Sequence, residues 1–290
     1  MEERLTAYRK KREYLVCADS DGSVMDTMNI KHQRCFGPCL LQVWEFNGCE
    51  QKVLELWNNL NLFSKTRGIN RYAALILLLE QIRENGVPVQ GLDLLKQWVQ
   101  NSGELSNKSL EKEIQKKIDS GVQESLECME KALRWSNYVN REVSSLKKED
   151  RRVFRGAFSC LQKISKMADI AVVSSANPEA LKEEWEEAKL LEIIKILMSQ
   201  KDGTKAQCIE TLLEKGYSRE KTMMIGDAPG DARAALDHGV WFYPILAGRE
   251  TESWKRLETE VFDQFVSGGF NQVLQEELYR SFCNNLNMSV

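Results

Sequence analysis

A short apolar run that stops at a loop of carboxylates is the feature of this sequence that most restricts its fold. Residues 14–18 read Tyr-Leu-Val-Cys-Ala, and the loop Asp19-Ser20-Asp21-Gly22-Ser23 follows at once. A continuous apolar run of this length, bounded by a polar turn, predicts a β-strand that is buried on both faces. Strands of that kind lie inside parallel sheets that helices cover on both sides.

The same pattern returns late in the chain. Four segments there are short and apolar: 170–173, 193–198, 222–225 and 240–245. Three segments between or beside them have helical periodicity: 178–191, 205–215 and 230–238. The alternation of strand and helix predicts an α/β fold with a Rossmann-like parallel sheet.

The middle of the chain has a different character. Residues 27–153 show helical periodicity and no convincing strand, which predicts an all-helical domain inserted after the first strand. Residues 1–26 and 154–246 then form the α/β core. Residues 247–290 predict two further helices, separated at Gly268-Gly269, that extend the chain and pack on the core.

Charge and composition exclude several classes of protein. The 40 basic and 43 acidic residues give a net charge of -3, without the basic excess of a nucleic-acid binder. The longest apolar run, 72–79, is far shorter than the ~20 residues of a membrane span, and Met1 to Arg4 lack the order of a secretory signal. The eight cysteines are scattered without a metal-binding spacing. We therefore expect a cytoplasmic monomer or homodimer with reduced thiols and neither nucleic-acid nor membrane partners.

Two acidic loops stand at predicted strand ends. In the first acidic loop, Asp19 to Ser23, carboxylates two residues apart could share one cation, although Asp, Gly and Ser also favour ordinary turns. The second acidic loop, Gly226 to Asp231, reads Gly-Asp-Ala-Pro-Gly-Asp and could equally be a helix start. Each loop alone leaves both interpretations open.

Taken together, the two loops predict a functional site more strongly than either loop does alone. The carboxyl ends of parallel strands share one edge of the sheet, so Asp19, Asp21 and Asp227 should lie together there, with Ser174 and Lys205 close by. Gathered carboxylates repel one another unless cations offset their charge. Mg²⁺ takes oxygen ligands and works with one or two carboxylates plus a phosphate, so the set predicts a magnesium and phosphate site.

In that order, these four motifs resemble those of the haloacid dehalogenase superfamily: Asp-x-Asp-Gly-[Ser/Thr], a strand-end Ser, a Lys, and Gly-Asp-x-x-x-Asp. The resemblance covers residues 13–26 and 154–246 and implies a phosphoryl-transfer enzyme. It implies that Asp19 is the nucleophile and Asp21 the general acid and base. It assigns Mg²⁺ to Asp19, Asp21, Asp227 and Asp231.

The resemblance also implies that Ser174, Ser175 and Lys205 hold the phosphoryl group, with Lys201 as a rival for the lysine. It makes residues 27–153 a helical cap of the type that closes over small substrates. This type of cap places the chain in the branch that is similar to β-phosphoglucomutase and phosphoglycolate phosphatase, and the segment Thr66 to Tyr72 is similar to the substrate loop of the β-phosphoglucomutase-like members. Arg67 and Arg71 would share one face if both were helical, and His32 could line the entrance. Two solvated arginines and a structural histidine are the alternatives.

Three functions remain open at this stage. We expect a Mg²⁺-dependent phosphatase acting on a small phosphorylated metabolite through an aspartyl-phosphate. A phosphomutase is the alternative, because the cap loop resembles that branch. The third candidate, a binding protein without catalysis, fits less well because all four motifs are intact.

Overall fold

The computed structural model describes residues 8–46 and 48–289. The prediction that Met1 to Arg4 are not a secretory signal concerns residues outside the described ranges. The described residues form two compact units, one from 8–28 with 147–289 and the other from within 29–146. Within the described ranges, no helix combines the length and apolar character that crossing a membrane requires.

The first unit is built on a parallel sheet of five strands in the order β3-β2-β1-β4-β5. The strands are β1 (Tyr14–Ala18), β2 (Ala168–Val173), β3 (Ile196–Met198), β4 (Thr222–Gly226) and β5 (Trp241–Pro244). Strand β1 is central and pairs with β2 from Tyr14↔Ala168 onward and with β4 from Leu15↔Thr222 onward. The predicted α/β fold with a Rossmann-like parallel sheet is confirmed.

Three helices of the first unit follow the predicted alternation: α8 (Pro178–Glu187), α9 (Lys205–Leu213) and α10 (Pro229–Asp237). Helix α7 (Ala157–Ile164), just before β2, was not predicted. Successive residues of β1 point to opposite faces of the sheet and enter two separate apolar clusters. Val16 packs with Trp185 and Leu161 in one cluster, and Leu15 packs with Ile209 and Leu212 in the other. Burial on both faces is what the unbroken apolar runs predicted.

The second unit is helical. Its helices are α1 (Gly37–Val43), α2 (Glu50–Leu62), α3 (Arg71–Glu84), α4 (Leu92–Asn101), α5 (Asn107–Asp119) and α6 (Glu127–Ser144), and a π-helical turn, Lys31–Phe36, precedes α1. Its core includes fully buried Trp57 and Trp135, whose rings meet edge to face at 5.5 Å. No disulfide forms among the described residues, and seven of the eight cysteines are buried.

The two chain segments that flank the helical unit are joined to each other within the first unit. Asp26 N–H donates to the Arg152 carbonyl at 2.7 Å, and Phe154 N–H donates to the Val24 carbonyl at 2.9 Å. This pairing explains why residues 147–153, which the sequence grouped with the helical insert, belong to the sheet-bearing unit.

The C-terminal segment packs on the sheet as three helices, α11 (Glu250–Arg256), α12 (Phe262–Ser267) and α13 (Gln272–Asn285), with a π-helical turn, Leu257–Val261, joining the first two. Helix α13 lies against β5, the strand at one edge of the sheet. The Gln275 amide accepts from Phe242 N–H at 2.8 Å and donates to the Phe242 carbonyl at 3.1 Å. Asn285 makes the same pair of bonds with Ala247. Two side-chain amides thus satisfy backbone groups that a further strand would otherwise bond.

The Gln275 pairing predicts a measurable stabilisation. Gln275→Leu should lower the free energy of unfolding by roughly 1–3 kcal/mol, because the buried N–H and carbonyl of Phe242 lose their partners. Gln272→Leu is the control, since Gln272 lies exposed on the same helix and bonds Glu276. Urea unfolding followed by circular dichroism measures both, and equal losses for the two variants would contradict the assignment.

Candidate active site

Neighbouring strands bring the two acidic loops together. Strands β1 and β4 are paired at Ala18↔Ile225, and Asp19 N–H donates to the Ile225 carbonyl at 3.0 Å just beyond that pair. Asp19, Asp227 and Asp231 are all buried, and one carboxylate oxygen from each lies within 4.8 Å of the others. We call these three side chains the carboxylate cluster. The expected meeting of the loops at one edge of the sheet is therefore present.

Lys205 supplies the positive charge beside this cluster. It is the first residue of α9, whose N-terminus Thr204 caps by accepting from Gln207 N–H. Its Nζ lies 2.9 Å from Asp19 Oδ1 and 2.5 Å from Asp231 Oδ1. Lys201, the rival from the sequence, instead pairs with Glu179 at 2.9 Å, and its side chain is 64% exposed. Lys205 is the lysine that the fold brings to Asp19.

Burial and charge oppose each other within the cluster. Burial raises the pKa of Asp19 well above its usual value, the Lys205 ammonium counters this, and the charges of Asp231 and Asp227 add to the rise. Burial also raises the pKa of Asp231, again against the effect of Lys205. For Lys205, burial lowers the pKa, but Asp19 and Asp231 outweigh it and leave the pKa raised. The ammonium therefore stays charged beside the two carboxylates that it contacts.

The position of Asp231 depends on the second acidic loop. Asp231 lies in the first turn of α10, and its Oδ2 accepts from Ala228 N–H at 3.0 Å, so it caps the helix as the sequence allowed. Its Oδ1 accepts from Lys205, so the same carboxylate also serves the cluster. Gly226 makes this possible, because a Cβ at that position would stand 2.3 Å from the Asp231 Cβ.

Several partners of the site residues were not predicted from the sequence. The Ser23 hydroxyl donates to Asp227 Oδ1 at 2.6 Å, and the Thr27 hydroxyl donates to Asp21 Oδ1. The Trp185 indole donates to the Ser20 hydroxyl at 2.9 Å. Ser23 belongs to the motif of the first acidic loop, but Asp227, the partner of its hydroxyl, lies 204 residues away in the sequence. No local pattern predicts a bond over that separation.

The strand-end serines lie on the neighbouring strand. Ser174 directly follows β2, is buried, and donates its N–H to the Met198 carbonyl at 3.0 Å. Its hydroxyl accepts from Ala176 N–H at 3.2 Å, as in a tight turn. Ser175 is exposed. Because β2 and β1 are adjacent and parallel, Ser174 follows its strand at the same edge of the sheet as Asp19.

The three residues proposed for the cap lie in the helical unit. Arg67 and Arg71 do not share a helix face, because Asn70 caps α3 and the helix begins only at Arg71. That part of the prediction is wrong. Arg67 is 2% exposed in the preceding turn and donates from Nη1 to the Leu62 carbonyl at 2.6 Å.

Arg71 and His32 also have partners inside that unit. The Arg71 guanidinium donates to the Ser136 hydroxyl at 3.0 Å and lies 5.0 Å from the centre of the Phe36 ring. The His32 ring stacks on the same Phe36 at 4.6 Å. A role of any of the three in substrate binding stays a prediction.

The donor set of the carboxylate cluster suits a hard divalent cation. All three side chains offer carboxylate oxygens, and neither sulfur nor imidazole ligands stand among them. A single ammonium cannot balance three carboxylates in a buried site. The charge and chemistry of these residues therefore fit Mg²⁺.

The tight contact at Gly226 predicts that substitution by alanine affects stability differently at two glycines of the second acidic loop. Gly226→Ala should lower the free energy of unfolding by roughly 1–3 kcal/mol, because the methyl group overlaps Asp231. Gly230→Ala should be neutral or stabilising by up to about 1 kcal/mol, since its Cβ meets nothing within 4 Å and it lies in a helix. Thermal unfolding of the two variants measures the difference, and a Gly226→Ala protein as stable as Gly230→Ala would refute the contact.

More than half of the chain matches a known protein family. The sequence model of the haloacid dehalogenase-like hydrolases matches residues 92–245, more than half of the chain. The match includes Ser174, Lys205 and the second acidic loop, whereas the first acidic loop precedes it. A comparison with curated proteins finds no match.

Solved structures resemble the chain at low identity. A protein from Lactobacillus delbrueckii assigned as a phosphoglycolate phosphatase is 17% identical, with 80% of this chain and 85% of that chain covered and a TM-score of 0.48. A hydrolase from Pseudomonas syringae is 13% identical, with 85% and 91% covered and a TM-score of 0.47. A protein from Thermotoga maritima assigned as a β-phosphoglucomutase is 14% identical, with 80% and 84% covered and a TM-score of 0.44. On the strength of the family match, the chain belongs to the haloacid dehalogenase-like hydrolases.

Proposed function

We propose that this hydrolase is a Mg²⁺-dependent phosphatase that cleaves a small phosphorylated metabolite through an aspartyl-phosphate on Asp19. The observation that carries the proposal is the buried Asp19 carboxylate, held at 2.9 Å from the Lys205 ammonium inside the carboxylate cluster. A carboxylate in such a place is fixed in direction, and the ammonium beside it counters the rise of its pKa that burial causes, which suits a nucleophile.

The first step is transfer of the phosphoryl group to the protein. An Asp19 carboxylate oxygen attacks phosphorus, an oxygen–phosphorus bond to Asp19 forms, and the bond to the leaving oxygen breaks. The Asp21 carboxyl gives its proton to that oxygen, so the product leaves as an alcohol. The Thr27 hydroxyl, which donates to Asp21, supports this role by holding the side chain in place.

The second step returns the protein to its starting state. Asp21, now a carboxylate, takes a proton from a water molecule as that water attacks phosphorus. The bond between phosphorus and Asp19 breaks, and inorganic phosphate leaves with Asp19 free again. Donors from Lys205, Ser174 and Ser175 are proposed to hold the non-bridging oxygens in both steps.

The proposed Mg²⁺ ligands are Asp19, Asp21 through its backbone carbonyl, and Asp227, with Asp231 in support. When bound, the ion neutralises charge on the phosphoryl oxygens. The Ser23 hydroxyl, donating to Asp227 Oδ1 at 2.6 Å, orients one of these ligands. Residues 27–153 are proposed to form the cap that selects the substrate, with Arg67, Arg71 and His32 as candidate contacts.

Loss of the nucleophile gives the first test of this mechanism. Asp19→Asn should abolish phosphate release from a panel of small phosphate esters in Mg²⁺, because an amide cannot form the aspartyl-phosphate. Asp237→Asn is the control, since Asp237 is an exposed carboxylate at the end of α10. Phosphate release at wild-type rate from Asp19→Asn would disprove covalent catalysis by Asp19.

The same panel separates the alternatives. Transfer of phosphate between positions of a sugar phosphate, without phosphate release, would identify a phosphomutase instead. No turnover of any ester, together with no Mg²⁺ requirement, would favour a binding protein.

A second test compares the two lysines. Lys205→Met should lower kcat by roughly 10²–10³-fold, since it removes a charged donor from the phosphoryl site and leaves Asp19 without its counter-ion. Lys201→Met removes an exposed ion pair with Glu179 and should leave kcat within about twofold. Steady-state kinetics on the same ester measure both, and a larger loss in Lys201→Met would reverse the assignment.

A further inference from the structure

A tryptophan of the C-terminal segment reaches the first acidic loop. Trp254 lies on α11 and is fully buried. Its indole Nε1 donates to the carbonyl oxygen of Ser23 at 2.9 Å, although the two residues are 231 positions apart. The bond joins a segment outside the family match to the loop that carries Asp19.

Ser23 connects Trp254 to the carboxylate cluster. Ser23 is itself fully buried, and its hydroxyl donates to Asp227 Oδ1 at 2.6 Å. The residue therefore accepts at its backbone from Trp254 and donates from its side chain to a proposed Mg²⁺ ligand. A shift of the Ser23 backbone would move both the loop and the orientation of Asp227.

Helix α11 is fixed to the sheet independently of that loop. The Tyr243 hydroxyl, on β5, donates to the Ser253 carbonyl at 2.6 Å. The Ser253 hydroxyl accepts from Leu246 N–H at 3.1 Å and donates to the Arg249 carbonyl at 2.9 Å. The indole of Trp254 is thus presented from a rigid support, which is what a positioning contact requires.

The loop that it contacts is a tight turn. Gly22 adopts a left-handed backbone with φ 82°, and Val24 N–H and Met25 N–H donate to the Ser20 carbonyl at 3.0 and 2.8 Å. On its other side, the Trp185 indole donates to the Ser20 hydroxyl at 2.9 Å. Two buried indoles therefore hold the loop at its second and fifth residues.

We infer that Trp254 is a positioning residue, through which the C-terminal segment sets the geometry of the first acidic loop and of Asp227 for Mg²⁺ binding. The inference rests on the proposed function for the part that concerns Mg²⁺. It assigns the C-terminal segment a role in the site in addition to covering the sheet.

The variant that tests this is Trp254→Phe in the full chain, which keeps a ring and removes the N–H donor. Trp241→Phe is one control, because Trp241 Nε1 also donates to a backbone carbonyl, that of Glu220, at 3.0 Å near the opposite strand ends. Tyr243→Phe is the other control. It removes a buried donor to the Ser253 carbonyl on α11 itself and leaves the indole of Trp254 present.

Two measurements without substrate provide the readout. Hydrogen exchange followed by mass spectrometry should show peptides covering 19–27 exchanging on the order of tenfold faster in Trp254→Phe, with β4 peptides unchanged. Calorimetric titration with Mg²⁺ should show an affinity about three- to tenfold weaker, since one buried hydrogen bond orients the loop. Trp241→Phe should match the wild-type chain in both measurements, and Tyr243→Phe should change them by less than Trp254→Phe does.

Equal loop exchange and equal Mg²⁺ affinity in Trp254→Phe and Tyr243→Phe would overturn the inference, because the effect would then be general loosening of α11. Should Trp254→Phe fail to fold, the indole N–H resonances of the wild-type chain decide. Mg²⁺ should shift the Trp254 resonance and not that of Trp241, and an unmoved Trp254 resonance would also overturn it. These readouts contain no ester, so absence of phosphatase activity would defeat the proposed function and leave this test intact.

Discussion

The contact of the Lys205 ammonium with two buried carboxylates is the interaction on which the site depends. It places a positive charge beside Asp19 and Asp231, two of the three carboxylates that meet at the ends of β1 and β4. Burial raises the pKa of both carboxylates, and the ammonium counters that rise. Helix α9 begins at Lys205, and the Thr204 cap at its N-terminus holds the lysine in this position.

The parts of the site that could be predicted are those that strand topology determines. The apolar runs identified β1 and β4, and parallel strands end at one edge, so Asp19 and Asp227 had to be near each other. The family resemblance implied Lys205, with Lys201 as its rival. The bonds from Ser23 to Asp227 and from Trp254 to Ser23 could not be predicted, because each joins residues more than 200 positions apart without a pattern of its own.

The helical unit shows a different limit. Helical periodicity predicted its helices, and the pairing of Asp26 with Arg152 joins the two segments that flank the compact helical unit. The shared helix face of Arg67 and Arg71 failed because the periodic pattern does not show where a helix starts. Asn70 decides that by capping α3, and it leaves Arg67 in the preceding turn.

The central position of β1 has a consequence for how the chain assembles. Its partners Ala168 and Thr222 lie far along the sequence, so β1 cannot pair until more than half of the chain is available. The helical unit ends at Leu146, before Ala168 is made, so it can form earlier during synthesis. Helix α13 comes later still, so the β5 edge that Gln275 and Asn285 cover stays open until then. An open strand edge can pair with the strand of another chain and so promote aggregation. Once α13 is complete, the β5 edge is covered and can no longer pair in this way.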